Sequence, residues 1–584
     1  MLIKSNHQSE IRRSRTVLFN VLLLLVLLGN DADGLQKAAA SDDTPQRVWI
    51  YLKPEAVQWL PGPAYTARST NRPESEVPAR LDPVPDESAT TLIEQNVLRV
   101  RFFSRSLQAF SAEATKEQVG ILAGMPQVQK IDYVKTLVRI PQDEMQVEIG
   151  GPRHAKASGA LSDQHLEQLN ILRLHARGIT GRGVRIGLID TGYYKRHAAF
   201  RRLIDSGRLI AERDFIFDDN DTDDEDDGDI TFAYRQSSHG TAVWGLIAAY
   251  DSATYYGAAY DAEFLLAKTE RYGSENRTDE DDFVAGVEWC ERHGAAIISV
   301  SLGYREMDNY TYKFWEMDGK TTVTARAANW AFERGILLVA SAGNEGQESV
   351  KFPDGGLGSP ADAFGALAVG AVDANGTLWS YSSFGPTYDG RTKPELCARG
   401  FQTNYVWNAG ETSYTYGNGT SLAAPLIAGS AALVLQAHPK LRPAEIMAAL
   451  KMYASRSAVP DRKYGWGIPN VFNSVFKYKS PERIGIEVGR REIATYPNPA
   501  KSNVNFYFVW HRAVPVASDA TLTVYDLQGK LVYQKRLASD YYGRDAQIAW
   551  DLVDNQGCPV PAGVYLVRLQ NSAYNKTGKF LILR

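Results

Sequence analysis

Three short stretches of this chain carry residues able to move a proton and attack a carbonyl carbon. Asp190 ends the apolar run VRIGLID and is followed by Thr191 and Gly192. His239 lies in SSHGTAVWGLIAA, at the head of a long apolar helical pattern, and Ser421 lies in GNGTSLAAPLIAGSAALVLQ, at the start of a helix of small and apolar residues. Acyl transfer by a serine hydroxyl needs a base for its proton, a group that holds the base in one tautomer, and donors for the developing oxyanion. Singly, each residue has a plainer reading: a turn or cap for the aspartate, a structural histidine, an N-cap serine. Their joint occurrence in the order Asp, His, Ser, one of the recurring orders of convergent triads, favours chemistry over three unrelated caps.

The elements that must position these residues follow an α/β pattern from Leu161 to about Lys477. Apolar runs of strand length alternate with longer helical periods, as in parallel sheets covered on both faces. Four runs stand out: VRIGLID, AAIISVSLG ending at Gly303, ILLVASAGN ending at Asn344, and FGALAVGAVD ending at Asp373. Ligand sites of open parallel sheets lie at the carboxyl ends of the strands, which is where Asp190 and Asn344 fall. Before this region, VWIYLK, LRVRFF and VQKIDYV read as strands and EATKEQVGILAGM as a helix, giving a small α+β domain. A polar stretch from Pro141 to Ala160 reads as an exposed linker. After it, short strands (VNFYFVW, TLTVYDL, KLVYQKRL, QIAWDL, GVYLVRL, KFLILR), with turn signals at Leu527–Gly529 and Asp554–Gly557, predict a β-sandwich.

At 584 residues the chain exceeds one compact core, since domains run to roughly 100–200 residues. The predicted organisation is a signal peptide (1–34), an α+β domain with linker (35–160), an α/β domain (161–478) and a C-terminal sandwich (479–584). Arg12, Arg13 and Arg15 precede an apolar run from Val17 to Leu28 of 12 residues, short of the roughly 20 a membrane-spanning helix needs. Cleavage after Gly34 or Ala40 suits this pattern equally. A net charge of −4 with 23% charged residues gives no sign of a nucleic-acid partner. Cys290, Cys397 and Cys558 match no zinc motif and make no disulfide framework.

DTG at Asp190, HGTAV at His239, AGNEG at Asn344 and GTSLAAP at Ser421 resemble the four signatures of the subtilisin-like (subtilase) peptidases. The resemblance implies a secreted serine endopeptidase acting on protein or peptide substrates. In it Asp190 orients His239, His239 deprotonates Ser421, and the Asn344 side chain joins the Ser421 backbone N–H in the oxyanion hole. It also implies that Ser301, Leu302 and Gly303, with Ser341, Ala342 and Gly343, flank the bound peptide as extra strands. Gly358 falls at the floor of the primary pocket, so a bulky apolar or aromatic residue is expected before the scissile bond. The segment LQAFSAEATKEQVGILAGMPQVQKIDYV resembles the family's inhibitory propeptide, an intramolecular partner of the active site. The C-terminal YPNPA, VYDLQGKLV and PAGVYLVRL resemble the sorting domain of type IX secretion. That makes the secretion machinery a partner and the cell surface or medium the destination, with Tyr496 and the next three residues forming an entry turn.

Two departures from the family stand in this sequence. The histidine motif has Ala242 and Trp244 where a second histidine and an alanine are common, so packing behind the base must change to hold an indole. His197 is followed by Ala198, Ala199 and Phe200 without the aspartate that ligates a strong calcium ion in many members. No cofactor or metal is therefore expected to be required. The acidic run Asp218–Asp229 reads as a solvated loop, with calcium binding as the alternative: Asp223, Glu225, Asp227 and Gly228 start a calcium-loop pattern, but Tyr234 stands at its twelfth position. Two other functions compete, a catalytically silent surface adhesin on the same scaffold and a maturation protease cutting after basic residues.

Overall fold

The computed structural model describes residues 45–61, 81–134, 136–137, 159–223, 236–270, 278–307, 310–348, 350–478, 493–496, 500, 504–508, 521–536, 546–570 and 575–583. The expected signal peptide, most of the linker, the acidic run beyond Asp223 and the turn after Tyr496 lie outside them.

The buried apolar runs of the α/β region become strands β1 (Arg185–Asp190), β2 (Leu209–Asp214), β3 (Glu263–Lys268), β4 (Ile297–Val300), β5 (Leu337–Ser341), β6 (Ala366–Val372) and β7 (Leu396–Arg399). They form one seven-stranded sheet, ordered β7-β6-β5-β4-β1-β3-β2, with every pairing parallel. Parallel strands need crossovers, and these supply helices for both faces. Helices α1 (Ala198–Asp205), α2 (Ser238–Ala248), α3 (Glu280–Arg292), α4 (Val323–Glu333) and α5 (Thr420–Ala437) follow in chain order. α3 and α4 pack on each other, while α2 and α5 form a second packed pair. β4, β5, β6 and β7 are fully buried along their length, which explains sequences without polar alternation.

The winding reverses at β1. The chain runs from β1 through β2 and β3 on one side, then crosses to β4 on the other and continues outward to β7. Such a switch point opens a crevice at the carboxyl ends of the strands, and Asp190 is the last residue of β1.

α5 is long and apolar enough to cross a membrane by composition, yet 89% of it is buried inside the protein. It is the central core helix. Its small residues permit close packing: a Cβ at Gly429 would stand 2.5 Å from that of Ala258.

Residues 46–60 and 81–134 form a compact N-terminal unit of their own. Its antiparallel sheet orders Arg99–Ser104, Ala109–Ala114, Gln46–Leu52 and Val128–Tyr133. Helices Glu87–Gln95 and Lys116–Ala123 complete it, the second opened by a capping box between Thr115 and Gln118. Val48, Ile50, Ile93, Phe110 and Leu122 are core residues.

The C-terminal region forms a three-stranded and a four-stranded antiparallel sheet. Phe506, Trp550, Tyr565 and Phe580 belong to their shared core. Asp526 and Asp554 each accept backbone N–H groups from the two turns expected from the sequence.

Candidate active site

Asp190 is fully buried, and its Oδ1 accepts hydrogen bonds from the Thr191 backbone N–H at 2.8 Å and from His239 Nδ1 at 2.7 Å. His239 is the second residue of α2 and is 1% exposed. A carboxylate in that position fixes the proton on Nδ1 and leaves Nε2 as the basic nitrogen. The approach depends on Gly240: a Cβ there would fall 2.1 Å from the Gly192 carbonyl oxygen, so any side chain would push α2 away from Asp190. Gln236 ties down the preceding residues by donating to the carbonyls of Thr191 and Glu270.

Ser421 is the second residue of α5 and is 4% exposed. Its hydroxyl lies 3.3 Å from the Ser301 carbonyl, and the Ser301 hydroxyl donates to the Ser421 carbonyl at 2.8 Å. Pro425 explains the second bond. It lies four residues on, inside the helix, and has no N–H for the Ser421 carbonyl, so the segment after β4 supplies the donor instead.

Asn344 follows β5. Its Oδ1 accepts from the Thr420 backbone N–H at 3.0 Å and from the Thr420 hydroxyl at 2.9 Å. With Oδ1 committed to the residue before the nucleophile, the carboxamide orientation is set and Nδ2 is its donor end. Thr420 is a site residue that sequence reasoning missed, although the GTS motif contains it.

The expected peptide-flanking segments leave adjacent strands, with Ser301–Gly303 after β4 and Ser341–Gly343 at the end of β5. Leu302 and Ala342 are fully buried. Gly358 joins the two: its N–H donates to Ala342, and its neighbour Ser359 pairs with Tyr304. A Cβ at Gly358 would meet only ordinary contacts, at 3.8 Å from the Arg305 Cβ and the Tyr304 nitrogen. Two ionisable side chains unforeseen from the sequence lie near these segments, Arg305 against Gly358 and Glu345 against Gly343 and Gly356. The Arg305 guanidinium donates to the Leu357 carbonyl at 2.6 Å and to Asp354 at 2.8 Å. Glu345, next to Asn344, accepts from the Ser383 hydroxyl at 2.7 Å. Burial pushes its carboxyl up to about 7, against the lowering effect of Ser383 and nearby backbone donors.

The two departures noted in the sequence meet each other. Trp244 stacks on Phe200 with ring centroids 3.7 Å apart and a 12° interplanar angle, and stands edge-on to Tyr193 and Phe264. Three of the four described carboxylates of the acidic run face cations: Asp218 pairs with Arg213, Asp221 with Lys195, and Asp223 with Arg196, while Asp219 accepts the Asp221 backbone N–H. Among the described residues no group of three or more His, Cys, Asp or Glu side chains could hold a metal ion.

A parallel α/β sheet with an Asp–His pair at its switch point, and a serine at the head of its central helix, defines the architecture of a serine hydrolase. Residues 181–467 match the subtilase family, and residues 494–583 match the secretion system C-terminal sorting domain. Serine protease AprX of Bacillus subtilis is 30% identical over 328 residues, which cover 51% of this chain and 67% of that protein. Subtilisin DY of Bacillus licheniformis is 28% identical, covering 51% and 93%, and subtilisin BL of Lederbergia lenta 30% identical, covering 51% and 92%. The chain belongs to the subtilase family of serine peptidases, carries a type IX secretion sorting domain, and is a secreted or cell-surface protein.

Proposed function

We propose that the protein is a serine endopeptidase that hydrolyses peptide bonds through an acyl-enzyme on Ser421. The observation that carries this reading is the buried 2.7 Å contact between His239 Nδ1 and Asp190, which prepares Nε2 as a base. In the proposed cycle Nε2 takes the Ser421 proton as Oγ attacks the carbonyl carbon. The Asn344 amide and the Ser421 backbone N–H hold the oxyanion, and the imidazolium then protonates the leaving amine. Water repeats the sequence to release the acid product.

Substrate lies as an extra strand against Ser301–Gly303 and Ser341–Gly343, with a bulky apolar or aromatic residue placed at Gly358. The absence of any side chain at Gly358 supports this preference. So does the Arg305–Asp354 pair, whose charges cancel and leave no fixed anion to select a basic side chain. A panel of peptides differing only before the scissile bond tests it. Preferred cleavage after Phe or Leu is expected, and strict preference for Arg, Gly or Ala would refute it.

The N-terminal α+β unit is proposed as an inhibitory propeptide. Thr136 and Leu137, just beyond it, pair antiparallel with Asp279 and Thr278 ahead of α3. The two segments form a two-residue ladder of their own, separate from the seven-stranded sheet, and this main-chain pairing supports the proposal. No metal is proposed as a requirement for catalysis.

A further inference from the structure

The loop 407–413 bonds the start of α1 and the residues just before His239, and its hairpin leads into Ser421. It is the tip of a hairpin between Thr403–Val406 and Tyr414–Gly417, and the chain leaves that hairpin directly into Asn418, Gly419, Thr420 and Ser421. On the Asp190 branch, the Ala198 N–H donates to the Glu411 carbonyl at 2.7 Å, and His197 Nε2 lies 3.0 Å from the Ser413 carbonyl. On the His239 branch, the contact is Asn408.

Asn408 is fully buried. Its Oδ1 accepts from the Ser238 hydroxyl at 3.0 Å and its Nδ2 donates to the Ser237 hydroxyl at 3.0 Å. These serines are the two residues immediately before His239. Ser237 stands at the N-cap of α2 yet makes no side-chain bond to its own helix. At this helix start the N-cap hydroxyl is instead bonded by a carboxamide from 171 positions away. The hairpin also packs directly on α2, since a Cβ at Gly245 would stand 2.7 Å from Val406 Cγ2. One element therefore delivers the nucleophile and grips the helix that carries the base.

We propose that Asn408 is a positioning residue for the general base: through Ser237 and Ser238 it holds the start of α2, and so the His239 imidazole, in register with Ser421. The proposal rests on the catalytic reading above. An imidazole displaced by even a fraction of an ångström loses proton-transfer efficiency, so the defect belongs in turnover rather than in substrate binding.

The test compares the processed full-length protein with its Asn408→Ala and Ser238→Ala variants. Turnover of a peptide substrate is measured from about pH 5 to about pH 9, and active sites are counted with a fluorophosphonate. Expected for Asn408→Ala is a kcat per titrated site lowered by roughly 10- to 100-fold, with KM within about twofold and a displaced acidic limb of the pH–rate profile. Ser238→Ala should shift the limb in the same direction, and the double variant should be little worse than Asn408→Ala alone. A normal kcat and limb per titrated site, with only stability or the active fraction reduced, would overturn the proposal and leave Asn408 a structural residue. If Asn408→Ala does not fold, an unaltered limb in Ser238→Ala overturns it equally. A wild-type protein that neither labels nor turns over would instead refute the catalytic reading itself, and this proposal with it.

Discussion

At the scale of single residues, the proposed oxyanion donor Asn344 and its neighbour Glu345 differ in what holds them. Thr420 holds the Asn344 carboxamide through both its N–H and its hydroxyl, so the amide donor costs no reorganisation when charge develops. Asn344→Ala should lower kcat by about 10² to 10³ with near-normal thermal stability, since one oxyanion donor is worth roughly 3–4 kcal/mol. Steady-state kinetics beside a melting curve checks both halves. Glu345 has its carboxyl raised to about 7 by burial. A carboxyl whose folded pKa exceeds its unfolded value favours the folded state at low pH, and that contribution is lost as pH rises through the folded pKa. In a Ser421→Ala background, Glu345→Gln should therefore raise the melting temperature at about pH 8 and leave it nearly unchanged at about pH 4.

At the scale of elements, the two departures from the family pattern turn out to be one packing solution. Phe200 of α1 and Trp244 of α2 stack face to face, so the indole has a partner that the sequence alone did not reveal. Trp244→Ala should cost about 3–5 kcal/mol in chemical denaturation, because a fully buried indole leaves a cavity that neighbouring helices close only in part. Two buried histidines stay neutral: His197, the N-cap of α1, and His165, whose ring lies 5.9 Å from that of Tyr255. Burial pushes His197 down to about 4 and His165 down to about 3. As pH falls below the unfolded histidine value, the unfolded chain takes up protons that the folded one refuses. Stability should therefore drop from about pH 6.5 down to about pH 4 for His197 and about pH 3 for His165, by several kcal/mol for each. Denaturation curves across that window, with His197→Gln as the control, measure the share from α1.

At the scale of the whole molecule, the subtilase α/β region is preceded in the chain by an N-terminal α+β unit and followed by a C-terminal sorting domain. If the strand at Thr136–Leu137 is the propeptide tail, the wild-type precursor should lose its N-terminal segment on standing while Ser421→Ala keeps it, as read by mass spectrometry. Sequence by itself determined the alternation of buried strands and helices, the strand ends at which Asp190 and Asn344 emerge, and the motifs naming His239 and Ser421. Those signals are local: burial on both faces leaves unbroken apolar runs, and the tight approach of α2 to β1 demands a glycine after the histidine. Tertiary structure alone decided which groups hold the residues of the candidate site in place. Asn408 on Ser237 and Ser238, Thr420 on Asn344, Ser301 on the carbonyl released by Pro425, and Arg305 beside Gly358 join residues far apart in the chain. A polar side chain's partner has no periodicity in sequence, because it is chosen by where folding brings a complementary donor or acceptor out of water.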